Sequence, residues 1–266
     1  MDIALVGPGR AGTALTLGLV DAGHRVVAVA GRRPDAPSTL AVAARFGAAA
    51  VPVDDAARGA HVVVIATPDG AIEDVASALV ASLEPGALVL HVAGSRGVDA
   101  LAPIVASRGD VHVGALHPLQ TIPFADTSLR GAWAAVAGPP AVMQLAHELG
   151  MHPFVVAEED RATYHAAAAI ASNHLAALLG QVERLADLVG VPFRAFESLV
   201  RGAVDNCFDL GPGAALTGPV ARGDVATVAA HLDAIPEIER RAYAALADAA
   251  RRLAGRDDAE LREVLA

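Results

Sequence analysis

The chain has 266 residues, of which 54% are hydrophobic and 19% charged, and its formal net charge is -10. This composition is typical of a folded protein with one large domain or two smaller ones, and it excludes a disordered chain. The acidic balance and the lack of a basic run argue against nucleic acid as a partner. No apolar run reaches the ~20 residues that a membrane-spanning helix needs.

The counts of lysine and cysteine exclude several kinds of catalytic and metal site. All twenty basic residues are arginines, which excludes Schiff-base chemistry and any mechanism with lysine as the proton donor. The single cysteine, Cys207, can form neither an internal disulfide nor a cysteine cluster for zinc. Asp2 is acidic where a signal peptide would be basic, so we expect a cytoplasmic protein without a membrane or a metal partner.

The first half of the chain alternates short apolar runs with helical stretches. Strands are predicted at Ile3–Val6, Arg25–Ala30, His61–Ala66, Ala87–His91, Val111–Leu116, Ala132–Ala137 and Pro153–Val156. Helices are predicted at Ala11–Asp21, Thr39–Phe46, Ala71–Leu83 and Ala141–Leu149. Because nearly continuous apolar strands are typical of a parallel sheet covered on both faces, we predict a doubly wound, mostly parallel Rossmann sheet in an α/β fold.

The pattern becomes purely helical after about Glu158. Helices are predicted at Asp160–Leu188, Pro192–Phe208 and Asp224–Leu253, with a short one from Asp257. We therefore divide the chain into an α/β domain over 1–157 and an all-helical domain over 158–266. Long helices of this kind often exchange between subunits, so we expect a homodimer formed through the helical domain.

A glycine-rich turn follows the first predicted strand, in the stretch "IALVGPGRAGTAL". Gly7, Gly9 and Gly12 have the G-x-G-x-x-G spacing, in which the first glycine allows the turn and the second lets backbone approach a pyrophosphate. The third lets the helix pack closely on the strand, and the helix N-terminus supplies oriented N–H groups. We predict a dinucleotide site formed by Gly7, Pro8, Gly9, Arg10, Ala11 and Gly12. The alternative is a glycine turn that only eases packing.

The second strand ends in "AGRR", with no carboxylate and with two arginines, Arg32 and Arg33. In this fold an acidic residue at that position binds the ribose 2′-hydroxyl of NAD, whereas arginine accepts the 2′-phosphate of NADP. We therefore predict NADP as the cofactor. Alternatively, both are solvated loop arginines that balance nearby acids such as Asp35.

Polar residues follow the next two strands, where a doubly wound sheet forms its ligand crevice. Thr67 and Pro68 end one strand and are expected to contact the nicotinamide ribose or the phosphates, while Asp69 could instead cap a helix. Gly94 and Ser95, in "LHVAGSRG", follow the other strand and are expected beside the nicotinamide.

His117 is the first candidate for catalysis. It follows a strand in "GALHPLQTIP", where a histidine could bind substrate or donate a proton near neutral pH, with Gln120 as a neighbouring substrate contact. It could equally be a turn histidine that bonds backbone.

The long helix offers a second set of candidates, in "RATYHAAAAIASNHLAAL". At 100° per residue, Arg161, His165 and Ser172 share a narrow stripe with Asn173 at its edge. We expect His165 and Asn173 to be catalytic and Ser172 to bind substrate, whereas Tyr164 points elsewhere and belongs to the packing. The alternative is a solvent-exposed polar face.

The stretch "ALTGPVARGD" adds Thr217 and Arg222 as candidate substrate contacts. Gly218 and Pro219 form a turn, and Asp224 is expected to cap the next helix. An arginine such as Arg222 would suit a substrate carboxylate, although it could equally be a helix-end charge.

These residues together resemble a known group. "GPGRAG", "ATPD", "HVAGS", "LHPLQT", "YHAAAAIASNHL" and "LTGPVARGD" follow one another as in the Rossmann-like NADP oxidoreductases of the 6-phosphogluconate dehydrogenase-like superfamily, whose helical second domain is a domain of unknown function. The group is related to the ketopantoate and pyrroline-carboxylate reductases. The resemblance implies an NADP-dependent oxidoreductase, and some members are linked with pantothenate biosynthesis.

One departure matters for the mechanism. Ketopantoate reductases use a lysine on the interdomain helix as proton donor, and this chain has none. The first hypothesis is reduction of a small 2-oxo acid, ketopantoate first, with His117, His165 or water donating the proton. The alternatives are reduction of a C=N bond, a protein that binds NADPH without turnover, and a deazaflavin or another hydride donor.

Overall fold

The computed structural model describes residues 1–266, and its first half forms one eight-stranded sheet. Strand order is β3-β2-β1-β4-β5-β6-β7-β8, and every neighbouring pair is parallel except β6 and β7. The strands are β1 (Asp2–Val6), β2 (Arg25–Ala30), β3 (Ala49–Ala50), β4 (Val62–Ile65), β5 (Leu88–His91), β6 (His112–Leu119), β7 (Trp133–Ala137) and β8 (His152–Val155). The mostly parallel Rossmann sheet expected from the sequence is confirmed.

Helices cover both faces of this sheet. They are α1 (Arg10–Asp21), α2 (Pro37–Phe46), α3 (Ile72–Leu79), α4 (Ala102–Ser107) and α5 (Pro140–Glu148). One apolar core joins Leu15 and Leu145 to alternate strand residues, and the other joins Ile72 and Ile104 to the remaining ones. Burial on both faces explains why the strands lack alternation of polar and apolar residues.

The remaining elements are helical, as predicted. They are α6 (Arg161–Ala169), a π-helical segment (Ile170–His174), α7 (Leu175–Leu188), α8 (Glu197–Leu210), α9 (Pro212–Ala215), α10 (Pro219–Arg222), α11 (Val225–Ala234), α12 (Glu237–Leu253) and α13 (Ala259–Leu265). The single helix predicted over Asp224–Leu253 is wrong. Ile235 has extended backbone angles before Pro236, because a residue preceding proline avoids the helical region.

The chain divides into two compact units, residues 1–172 and 173–266. The second unit has a small core of its own, formed by Val220, Val228, Ala247 and Leu261. Within it, the Arg184 guanidinium bonds both carboxylate oxygens of Glu239, at 2.5 and 3.0 Å, and ties α7 to α12. The domain boundary near residue 157 stays a prediction. No helix is both long and apolar enough to cross a bilayer.

Candidate cofactor and active site

The glycine loop between β1 and α1 has the close contacts that its spacing predicts. Gly7 has a φ of +94°, and a Cβ atom there would lie 2.6 Å from the Ala66 carbonyl carbon. A Cβ atom on Gly12 would lie 2.6 Å from the Gly7 carbonyl oxygen and 2.7 Å from the Ala66 Cβ. Gly9 is different, because nothing lies within 4 Å of its Cβ position. Gly7 and Gly12 are therefore required for close packing, and Gly9 leaves open space beside the backbone, where a ligand can approach.

The N-terminus of α1 is suited to an anion. Gly9 is its N-cap, no side chain caps the helix, and its first turn contains no acidic residue. Free N–H groups and the positive end of the helix dipole thus point beyond Gly9, which is how this fold binds a diphosphate. The other predicted loop residues lie next to the start of α1. Pro8 lines the adjacent groove, and Ala11 lies in the first turn of the helix. The Arg10 Nη1 donates to the Pro123 carbonyl at 3.3 Å.

A groove of about 570 Å³ runs from this loop to the ends of β2 and β4. Arg32 lines it, together with Ser38 and Thr39 of α2, which sequence analysis missed. Arg33 is not among the lining residues, and its Nε lies 3.4 Å from the Asp35 carboxylate with both side chains exposed. The two arginines, which we predicted to act together on a phosphate, therefore have different surroundings: Arg32 lines the groove and Arg33 does not.

Thr67 and Pro68 line the same groove at the end of β4. The Thr67 Oγ1 is buried and has no hydrogen-bond partner, so it can bond a ligand there. Asp69 does not cap a helix: its carboxylate accepts a 2.5 Å hydrogen bond from the Ser95 hydroxyl, which connects the ends of β4 and β5. The orphaned hydroxyl and the open glycine loop fit a dinucleotide.

Three aromatic side chains gather after β5 and near the end of β6. His117 lies within β6 and pairs with Ala135, so the expectation that it follows a strand is wrong, because the strand continues to Leu119. The His117 Nδ1 lies 2.7 Å from the Tyr164 hydroxyl, and the His117 and His165 rings are 5.7 Å apart between centroids. Both imidazoles pack on Gly94, where a Cβ atom would lie 2.6 Å from the His165 Nδ1 and 2.7 Å from the His117 Nε2. A side chain at position 94 would thus displace both rings. The two predicted histidines and Gly94 lie together within the first unit.

Burial and neighbouring cations set the protonation of this cluster. Burial, then the charges of His165 and Arg161, lower the pKa of His117 to about 4, so its imidazole is neutral at pH 7. His91 is buried beside it: its Nε2 donates to the Gly97 carbonyl at 2.8 Å, and its Nδ1 accepts from the Ala93 N–H at 3.2 Å. These partners fix His91 as the neutral form, and burial lowers its pKa.

Sequence analysis missed part of this cluster. Tyr164 was assigned to packing, yet it bonds His117, because a helical face is about 100° wide and includes both Tyr164 and His165. The spacing of three residues from Arg161 to Tyr164 is the signal that could have identified it. His91 gave no signal, since it closes an apolar strand and bonds only backbone.

Two of the predicted substrate residues of the first unit do not belong to this cluster. Gln120 is exposed just beyond β6, and the Ser172 hydroxyl donates to the Ala168 carbonyl at 2.8 Å. The π-helical segment begins at Ile170 and alters the helical phase on which the stripe through Ser172 depended. Asn173, Thr217 and Arg222 are exposed residues of the second unit, and their roles stay predictions. Asp224 caps α11 as expected, accepting from the Thr227 N–H at 3.1 Å.

Two family models match parts of this chain. Residues 2–94 match the family described as NADP oxidoreductase, coenzyme F420-dependent. The first part of the chain is therefore similar to NADP oxidoreductase domains. NADP is its cofactor, as the sequence predicts. Residues 132–250 match a domain of unknown function, DUF2520, which also agrees with the predicted resemblance.

Solved structures share the fold of this oxidoreductase over nearly the whole chain. A Bacteroides fragilis protein named "putative NADP oxidoreductase" has a TM-score of 0.80 at 22% identity, covering 94% of this chain and 98% of its own. Protein TM1727 of Thermotoga maritima has a TM-score of 0.76 at 24% identity, covering 96% and 100%. An NADP-bound pyrroline carboxylate reductase of Plasmodium falciparum has a TM-score of 0.64 at 12% identity, covering 100% and 97%. No protein of curated function matches significantly.

The lowered pKa of His117 predicts how stability depends on pH. The folded state holds His117 with a pKa of about 4, whereas the unfolded chain has the ordinary value of about 6.5. Between these values the unfolded state binds more protons, so stability falls as pH drops from about 6.5 to 4, by up to about 3 kcal/mol. Urea unfolding of wild type and His117→Gln across this range measures the effect. We expect a shallower dependence in the variant, and identical slopes would contradict the assignment.

Proposed function

We propose that this NADP oxidoreductase reduces the carbonyl group of a small 2-oxo acid, with ketopantoate as the first candidate. The observation that carries the proposal is the hydrogen bond between Tyr164 and His117, beside Gly94 at the end of β5. In doubly wound folds the ligand crevice lies at the carboxyl ends of the strands. This placement supports a proton-donating pair close to the reacting atoms.

The cofactor supplies a hydride from its reduced nicotinamide when bound. The residues that would hold it are the glycine loop, Thr67 and Arg32, with Gly94 and Ser95 beside the nicotinamide end. The carbonyl oxygen of the substrate then needs a proton as negative charge develops on it. Because the chain has no lysine, we assign the donation of that proton to the pair of His117 and Tyr164.

His117 is suited to this role as a neutral imidazole. With the Tyr164 hydroxyl donating to Nδ1, the proton resides on Nε2, which packs against Gly94. Nε2–H donates to the developing alkoxide while the phenol proton moves to Nδ1, so His117 stays neutral throughout. Burial raises the pKa of Tyr164, but the nearby charge of Arg161 acts in the opposite direction and stabilises the phenolate that remains. Solvent then protonates Nε2 while the Nδ1 proton returns to the phenolate, which restores the starting pair. His165, whose buried Nδ1 has no partner, is the second candidate donor.

Reaction with a panel of 2-oxo acids tests this proposal. We expect NADPH oxidation by at least one member, ketopantoate first, and a loss of kcat of about 100-fold or more in His117→Ala and Tyr164→Phe, the usual value of a positioned proton donor. Tyr243→Phe is the matched control, because Tyr243 forms a similar 2.8 Å bond with His231 in the second unit.

Each alternative has its own outcome in that experiment. Turnover of cyclic imines with little effect of His117→Ala would favour a C=N reductase, since an imine needs less help from a proton donor. Tight NADPH binding without turnover of any substrate would favour a non-catalytic binding protein. The matched family is named for coenzyme F420, so a deazaflavin belongs in the panel as a further hydride partner.

We also propose that Arg32, and not Arg33, provides the preference for the 2′-phosphate. Arg32 lines the groove, whereas Arg33 lies next to Asp35 with its side chain exposed. Arg32→Met should weaken NADPH binding by at least about tenfold and leave NADH binding nearly unchanged, since a bidentate arginine–phosphate contact contributes this much. Arg33→Met is the matched control in calorimetric titrations. Equal losses in both variants, or equal losses for both nucleotides, would contradict the assignment.

The homodimer stays a proposal, supported by apolar side chains on the helical unit. Exposed fractions reach 87% for Phe208 and 68% for Leu199, and α8 contains no buried residue. A groove of about 460 Å³ beside α8 is lined by positively charged residues, Arg194 and Arg201, and by negatively charged ones, Glu197 and Asp205. Charges of both signs on one surface suit a self-complementary twofold contact. Light scattering should give a dimer for wild type and a monomer for the double variant Leu199→Ser with Phe208→Ser. A monomeric wild type would contradict the proposal.

A further inference from the structure

Arg161 has a buried positive charge with only one acidic partner at a long distance. It is the first residue of α6, and its side chain is 1% exposed. Its Nε donates to the Glu158 carboxylate at 3.3 Å, while Nη1 and Nη2 have no hydrogen-bond partner. A guanidinium stays charged at every accessible pH and has five N–H donors. Burying such a group with most donors unbonded is costly, so the arrangement needs a reason.

The groups around Arg161 do not balance its charge. His91 is neutral, with both ring nitrogens bonded to backbone, and His117 is paired with Tyr164. The Asp69 carboxylate already accepts from Ser95. Glu158 is the one carboxylate in contact with Arg161, through a long bond, and its side chain is 51% exposed.

Glu158 also lines a recess of about 410 Å³ together with Ser95, Arg96, Gly97, Val98 and Asp99. This recess directly follows Gly94, on which His117 and His165 pack. Glu158 thus has two roles, since one of its carboxylate oxygens accepts a hydrogen bond from Arg161 and its side chain lines the recess. The other Glu158 oxygen lies against Gly97 of the recess, so this one carboxylate contacts both the guanidinium and the recess.

We propose that Arg161 binds the carboxylate of the substrate, which replaces the Glu158 carboxylate on the guanidinium. The phosphates of the cofactor have other partners, namely the glycine loop and Arg32, so the anion belongs to the substrate. Two parallel N–H···O bonds from Nη1 and Nη2 would fix the orientation of a planar carboxylate. A 2-oxo acid held in this way has its carbonyl one bond from the anchored carboxylate, and Arg161 is near enough to His117 for its charge to lower the pKa of that imidazole. The inference rests on the proposed function and narrows its substrates to small carboxylic acids.

Titration of the NADP⁺-loaded protein with oxamate, an unreactive analogue of a 2-oxo acid, tests this site by calorimetry. We expect Arg161→Met to weaken oxamate binding by about thirtyfold or more, the usual loss when a buried charge pair is cut, without changing the affinity for NADP⁺. Arg161→Lys keeps the charge but loses the bidentate geometry, so about a tenfold loss is expected. Arg241→Met, on an exposed position of α12, is the matched control and should bind oxamate like wild type.

Two further results separate this inference from the proposed reaction. Glu158→Gln should tighten oxamate binding by about threefold, because it removes the competing charge, and this variant serves if Arg161→Met fails to fold. No oxamate binding by wild type, or unchanged binding in either Arg161 variant, would overturn the inference. Oxamate binding through Arg161 without turnover of any 2-oxo acid would reject the reduction alone. Turnover with an unchanged KM in Arg161→Lys would reject the carboxylate site alone.

Discussion

The close packing of α1 against the ends of β1 and β4 is the constraint on which the cofactor site depends. No side chain fits at Gly12, because the Gly7 carbonyl and the Ala66 Cβ already occupy that space. This contact places the uncapped start of α1 at the same edge of the sheet as Thr67 and Arg32. The proposed phosphate site therefore depends on a steric condition, which determines where the helix dipole and the free N–H groups point.

A second constraint is electrostatic and concerns the ends of β5 and β6. Three histidines and Arg161 lie close together, and burial removes the water that would screen their charges. Burial lowers the pKa of His91 and of His117, so both stay neutral at pH 7, whereas Arg161 keeps its charge. Arg161 adds to the effect of burial in lowering the pKa of His117, opposes the burial that raises the pKa of Tyr164, and is the group that we propose to bind an anion. One buried charge would then serve both binding of the substrate and transfer of the proton.

The sequence predicted every strand except the two-residue β3, most helices and the glycine turn after β1, because each depends on local patterns. Apolar runs mark buried strands, and the glycine spacing marks a turn that must approach phosphate. It failed where the answer depended on tertiary contacts or on small changes of helical phase. Arg32 and Arg33 are equivalent in sequence, and only the path of the loop after β2 separates them. The π-helical segment at Ile170 is likewise not encoded in any residue pattern that we can identify.

A crystal structure with NADPH bound would test the central claim most directly. The account predicts that the diphosphate lies on the N–H groups that follow Gly9, that Arg32 contacts the 2′-phosphate, and that the nicotinamide lies beside Gly94 within reach of His117. A diphosphate bound elsewhere, or a nicotinamide directed away from Gly94, would contradict it.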